Sequence, residues 1–175
     1  QWQAYGQDSN SVSIDPVYDT DSTLVPLALV LDNLGTPIAG ITDDINGTNR
    51  SETTPDMGAI EFSVSGSPLS GSYTVGTGGD FATINSVGVS LLSLGVSGPV
   101  IFNILAGTYD EPVSLGQVYG ASATNTVTFQ SADANADSVI WENTQNSSIT
   151  NYVLKLNGTD HITLKNITFK SLGTS

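Results

Sequence analysis

Residues 71–115 read GSYTVGTGGDFATINSVGVSLLSLGVSGPVIFNILAGTYDEPVSL, and their periodicity changes partway through. Phe81, Ile84, Val87, Leu91 and Leu94 recur at intervals of three and four, the spacing of one helix face. Asp80 stands where an N-cap is expected and Gly95 where a helix stops. Gly88 and several β-branched residues disfavour an isolated helix, so packing must hold this one in place. From Pro99 the period becomes two. The runs VIFNIL, YDEPVSL, TVTFQS, SVIWEN, YVLKLN and HITLKNITF are strand-sized, and Gly, Asn, Asp and Ser separate them.

Three of the later segments share a finer pattern: Leu154 and Leu156, Ile162 and Leu164, and Ile167 and Phe169 are apolar-x-apolar pairs. In a parallel β-solenoid such a pair points inward and stacks on its counterpart in the next coil. A β-sandwich shows similar alternation. The preceding helix favours the solenoid, whose first coil exposes an apolar end and a raw strand edge that a short helix covers. The expected fold is therefore all-β, a right-handed parallel β-helix with a short N-terminal capping helix. Phe102, Ile104, Leu154, Leu156, Ile162, Leu164, Ile167 and Phe169 are expected inside it.

Upstream, the character differs. Pro16, Pro26, Gly35, Pro37, Gly40, Gly47 and Pro55 confine any strand to a few residues, with 13–17, 27–31 and 59–62 as candidates. The segment reads as a loop-rich wrapping. The expected organisation is 1–62 as the end of one unit, 63–72 (SVSGSPLSGS) as linker, and 73–175 as capping helix and first coils of another.

Composition bounds the function. The net charge is −13, with only Arg50, Lys155, Lys165 and Lys170 as permanent cations, which argues against nucleic-acid partners and anionic membrane surfaces. No cysteine is present, so disulfides and thiolate metal sites are excluded. The longest apolar stretch, near 24–31, is too short to span a bilayer, and no membrane insertion is expected.

Candidate sites are few. Asp43, Asp44 and Asn46, in the turn DDING, place oxygen atoms at alternating positions before a Gly, the donor chemistry of Ca²⁺. The downstream bidentate Glu of an EF-hand loop is missing, and an Asx-rich turn explains the pattern more simply. A structural calcium is the one cofactor considered. Arg50, near Asp44, Asp56 and Glu61, suggests a bidentate pair pinning the loop, with Asp56 and Glu61 as partners. A polysaccharide lyase needs a base or a Ca²⁺–carboxylate cluster in a groove, and a glycosidase two facing carboxylates. Asp110, Glu111, Asp133, Asp137, Glu142 and Asp160 occupy turn-like or strand-end positions. Lys155, Lys165 and the single His161 read as surface groups. Trp2, Trp141, Tyr119 and Tyr152 show no shared face for stacking sugars, which favours core or lid packing. Sequons at Asn46, Asn49, Asn146, Asn157 and Asn166 match chance in so Asn- and Thr-rich a chain.

The stretch from Gly71 to Glu111 resembles the opening of right-handed parallel β-helix (pectin-lyase-like) domains in large surface proteins of Bacteroidota, with their "GTGGDF-TI" and "GPV-F-I--GTY-E" elements. GQDSNSVSIDPVYDT and DDINGTNRSETTPDMGAIEF resemble the ending of the same domains. Asp44, Gly47, Arg50, Pro55, Asp56, Gly58, Ala59 and Glu61 fall in that motif's order. Here the ending precedes the opening, so the order is tail, linker, head. The resemblance implies a type IX-secreted, extracellular cell-surface adhesin or gliding-motility filament component, and the turn-like placement of the acids and the surface reading of Lys155, Lys165 and His161 make catalysis unexpected. Its implied partners are neighbouring repeats of the same chain or filament, and surface polysaccharide. Asp137-Ser138-Val139 is similar to a short O-glycosylation signal of that group, which makes Ser138 a candidate site. The alternatives are a fragment of a β-helix polysaccharide lyase or hydrolase, and a Ca²⁺-dependent glycan-binding module.

Overall fold

The computed structural model describes residues 11–145 and 149–171, and from Leu69 onward the chain alternates short strands and turns around one helix. The strands are β1 (Leu69–Val75), β2 (Val96–Ile104), β3 (Gly107–Asp110), β4 (Val113–Leu115), β5 (Val127–Ser131), β6 (Val139–Asn143), β7 (Leu154–Leu156), β8 (Ile162–Lys165) and β9 (Thr168–Ser171). They form three open sheets in the orders β1-β2-β5-β8, β3-β6-β9 and β4-β7, and every named pairing is parallel. After β1 the chain visits the three sheets in a fixed sequence, then visits them again.

Register aligns like with like. Tyr73, Phe102, Phe129 and Leu164 form one row across the first sheet, and Val100, Val127 and Ile162 another. Tyr109, Trp141 and Phe169 line up in the second sheet, and Leu115 meets Leu156 in the third. Alternation of period two puts Val100, Phe102 and Ile104 inside, fully buried, while Ile101 and Asn103 face the other way. The outward row is also paired: the Gln130 amide donates to Asn103 Oδ1 at 2.9 Å.

The expected run YDEPVSL is two strands, β3 and β4, and HITLKNITF is β8 and β9, broken at Asn166, whose φ of 52° is a conformation Asn tolerates. Phe102 and Ile104 are buried as expected. Leu156, Leu164 and Phe169 are 50%, 38% and 42% exposed, and Leu154, Ile162 and Ile167 half-buried. Leu154, Leu156, Ile162, Leu164 and Phe169 hold the inward register, but no strand among the described residues stacks beyond β7, β8 and β9 to cover them.

The helix α1 spans Ile84–Leu94 and buries Ile84, Val87 and Leu91. Its N-cap is Thr83, in a reciprocal capping box with Ser86, and not Asp80. The Asp80 carboxylate instead accepts from the Thr74 N–H at 2.7 Å and hydroxyl at 2.8 Å, which clamps the turn after β1. Gly95 ends the helix at φ 70°, as expected. Gly88 has a packing reason: a Cβ there would lie 3.2 Å from Val113 and 3.3 Å from Leu115, so its absence lets α1 settle onto β4.

Residues 11–62 contain no extended strand. Runs 13–17 and 59–62 are irregular and Leu29–Leu31 forms a 3₁₀ turn, so the three expected strands do not form. Isolated bridges join Tyr18 to Pro26 and Asp43 to Asn49. Acid and hydroxyl side chains capture backbone N–H groups that a sheet would otherwise use. β1 also starts inside the stretch expected as linker, at Leu69. The N–H of Val64 donates to Asp32 at 2.9 Å, and the 3₁₀ turn touches α1, so the wrapping segment is tied to the sheeted part.

Candidate functional site

The acidic turn and Arg50 form a knot in which carboxylates hold backbone. Asp44 Oδ1 accepts from the N–H groups of Asn46 and Thr48, both at 2.8 Å, and its Oδ2 accepts from the Glu61 N–H at 3.0 Å. Those bonds, the Glu61 one foremost, hold the Asp44 carboxyl below its usual range. Three donors already engage the carboxylate that a Ca²⁺ ion would need. Asp43 accepts from the Thr42 hydroxyl at 2.9 Å. Among the described residues no cluster of three or more His, Cys, Asp or Glu could hold a metal ion. The turn is an Asx turn anchored to Glu61.

Arg50 is placed as expected, with a corrected partner set. One guanidinium nitrogen lies 3.7 Å from Glu61 Oε1 and donates to the Asp56 carbonyl at 3.3 Å; the other donates to the Gly58 carbonyl at 2.5 Å. The expected bidentate carboxylate pair is therefore one loose ion pair and two carbonyl bonds. The Asp56 carboxylate turns away and receives the N–H groups of Asn33 at 2.7 Å and Phe62 at 2.5 Å. Asp56 is only 3% exposed. Burial pushes its carboxyl above the usual range against the pull of those two donors, and the Glu61 and Asp32 charges add to the rise. Glu61 completes the knot by accepting from the Asp56 N–H at 2.8 Å.

In the sheeted part the acids also hold structure. Glu111, which the sequence offers only as one of several turn-like or strand-end carboxylates, receives the first free N–H groups of α1, Ile84 at 2.8 Å and Asn85 at 3.0 Å. It supplies from a distant loop the negative charge that the helix N-terminus favours and the helix's own first turn lacks. The contact is long-range in sequence, so no local motif announces it. Asp110 receives the Thr144 N–H at 2.9 Å and its hydroxyl, and these bonds lower its carboxyl. Glu142 pairs with Lys170 at 3.5 Å.

Ser138 is half-buried in the turn before β6, and its hydroxyl donates to Asp133 at 2.6 Å and to the Asn135 carbonyl at 2.8 Å. The Ser131 hydroxyl also reaches Asp133, and these bonds lower the Asp133 carboxyl. A sugar on Ser138 would have to displace that network.

The aromatic residues divide by position. Trp141 is fully buried and donates its indole N–H to the Glu111 carbonyl at 2.9 Å. It belongs to a chain of ring contacts running Tyr73, Phe102, Phe129, Trp141 and Phe169, with Phe81 against the first two. Tyr119 is half-exposed elsewhere, and Tyr152 lies under the Lys155 ammonium at 6.0 Å. Trp141, Tyr119 and Tyr152 thus share no face; Trp2 and Asn146 lie outside the described residues. His161 immediately precedes β8 at φ 59°, exposed, and Lys155 and Lys165 are exposed on their strands. No described helix is long and apolar enough to cross a membrane.

No family model, curated protein or solved structure matches the chain.

Proposed function

We propose that the chain is a non-catalytic segment of an extended cell-surface adhesin or filament, in which right-handed parallel β-helical units supply length and stiffness. The observation that carries this reading is the register. Apolar and aromatic rows align across three parallel sheets visited in a repeating order, and α1 lies at the β1–β4 side. Such an arrangement extends by adding layers, each satisfying the edge of the one before. The carboxylates at the candidate sites hold backbone turns and a helix end, which is the work of a scaffold. Residues 11–62, knotted through Arg50, Asp56 and Glu61, serve as the terminal wrap of a preceding unit.

The partners on this reading are neighbouring repeats, and surface polysaccharide met over extended faces. Determining the parent coding sequence tests it, together with electron microscopy of the intact protein. The expected result is several DDINGTNR…PDMGAIEF endings, each followed by a GDFATIN-type opening, in a rod-shaped molecule. A single short β-helix that depolymerises uronic-acid polymers would overturn it.

A further inference from the structure

The cap end of the layered part is closed over two of its three sheets. Strand β1 pairs along β2, and α1 packs over β4. Over β3 lies only the turn 76–83 that joins β1 to α1. The Tyr109 hydroxyl reaches the Val75 carbonyl at 3.2 Å and the Leu105 carbonyl at 2.9 Å, which holds that turn beside β3 without pairing it. Layers added beyond β7, β8 and β9 would stack on the opposite side and leave this edge open.

The ladder to β6 fixes which main-chain groups of β3 are free. The Gly107 N–H donates to the Ser138 carbonyl at 2.8 Å, and the Glu111 N–H to the Glu142 carbonyl at 3.1 Å. Residues 107, 109 and 111 thus turn their main-chain groups toward β6. Those of Thr108 and Asp110 point the other way, and no hydrogen bond among the described residues engages them. They border a cleft of about 450 Å³ between Thr77, Ala82 and Thr83 on one wall and Ala106, Gly107 and Thr108 on the other. These small side chains leave room for a backbone. Asp110 and Glu111 are the only charged residues lining it. Each carboxylate accepts two hydrogen bonds within the chain and keeps lone pairs for more.

We propose that the open edge of β3 is a docking site for an extended peptide segment of a partner protein that carries Lys or Arg, added to the sheet as one more strand. Main-chain donors and acceptors recurring every second residue match the main chain of an extended peptide. Those bonds hold the segment, and its cationic side chain meets Asp110 and Glu111. The net charge of −13 draws a basic partner and repels an acidic one. A saccharide suits the cleft less well, because Tyr109 is the only ring in its lining and that ring is aligned inward with Trp141. The site is complete within one chain and holds whether or not units join into a filament.

The test is fluorescence anisotropy on the intact chain with labelled pentapeptides at low salt. The probes are Thr-Lys-Val-Lys-Thr, Thr-Glu-Val-Glu-Thr, and the lysine peptide with every amide N-methylated. The lysine peptide should bind and shift the Thr108 and Asp110 amide signals of isotope-labelled protein. The other two should bind about tenfold more weakly or worse, one through charge and one through lost main-chain bonds. Thr108→Pro removes a free N–H and leaves the β6 ladder intact, since an edge strand tolerates proline. Ala106→Lys sets a cation in the cleft, and both positions are exposed. Each variant should weaken the lysine peptide about fivefold or more. Ala106→Lys carries the test alone if the proline variant loses its native circular dichroism. No binding of the lysine peptide, equal binding of its N-methylated form, or an Ala106→Lys variant that binds like wild type overturns the proposal. So do amide shifts at the cleft with maltohexaose and none with the lysine peptide, which would assign it to a saccharide.

Discussion

Replacing Phe102 or Phe169 by Ala tests how far packing varies along the stacked rows. Phe102 is fully buried, with ring centroids of Tyr73, Phe81 and Phe129 at 5.8, 5.7 and 5.1 Å. Truncation there removes a whole ring from a closed site and breaks three aromatic contacts, so Phe102→Ala should cost about 4 kcal/mol. Phe169 is 42% exposed and meets one ring, Trp141 at 5.3 Å. Its truncation opens no enclosed cavity, so roughly 1 kcal/mol is expected. Urea denaturation followed by tryptophan fluorescence reads both, since Trp141 sits within the stack. With a slope of about 1–3 kcal/mol/M, the two midpoints should separate by about 1 M or more. Phe102→Leu, expected near 1–1.5 kcal/mol, keeps the comparison measurable if the alanine variant unfolds. Equal costs at the two positions would refute the claim that the stack is closed at β2 and open at β9.

Glu111→Ala should destabilise the chain by about 1–2 kcal/mol by freeing two N–H groups at the start of α1, and Glu111→Gln by less; thermal melts with hydrogen exchange at Ile84 and Asn85 check this. Acid should unfold the protein steeply below about pH 4. The carboxyls of Asp44, Asp80, Asp110 and Asp133 are lowered by hydrogen bonds, so their stabilisation is complete above the unfolded value and disappears as pH falls through the folded ones. Asp56 works the other way: its raised carboxyl binds the proton more tightly when folded, so its contribution declines as pH rises through its window. Urea midpoints across a pH series should therefore drop below about pH 4; a flat profile there would contradict the assignment. Added Ca²⁺ should leave the melting temperature unchanged, because Asp44 already accepts three N–H groups; a ligand at a hundred times its Kd would instead add about 2.7 kcal/mol.

Strand positions in the second half were legible because they depend on local alternation and turn residues. VIFNIL, TVTFQS and SVIWEN each match a single strand within a few residues. Helix α1 was legible from its three-and-four spacing, and Gly88, which argued against it, proved to be what lets it approach Val113 and Leu115. The N-cap is Thr83 in place of the expected Asp80 because the fold commits the Asp80 carboxylate to Thr74. YDEPVSL reads as one run because Pro112 lies between apolar positions of the same phase, which hides the break between β3 and β4. The wrap defeated strand prediction because its N–H groups go to side chains as distant as Asp32 to Val64. Arg50 and Glu61 were readable as neighbours in an acidic segment. The carbonyls of Asp56 and Gly58 as acceptors were not, since any residue supplies a carbonyl.

The most direct test of the layered account is the cross-strand pattern of proton contacts in an isotope-labelled sample by NMR. The account predicts the staggered amide-to-α-proton contacts of parallel strands linking Ile101 to Thr128 and Thr128 to Thr163, with Tyr109 against Trp141 in the second sheet. Close α-proton pairs between 100–104 and 107–110, the mark of an antiparallel hairpin, would contradict it.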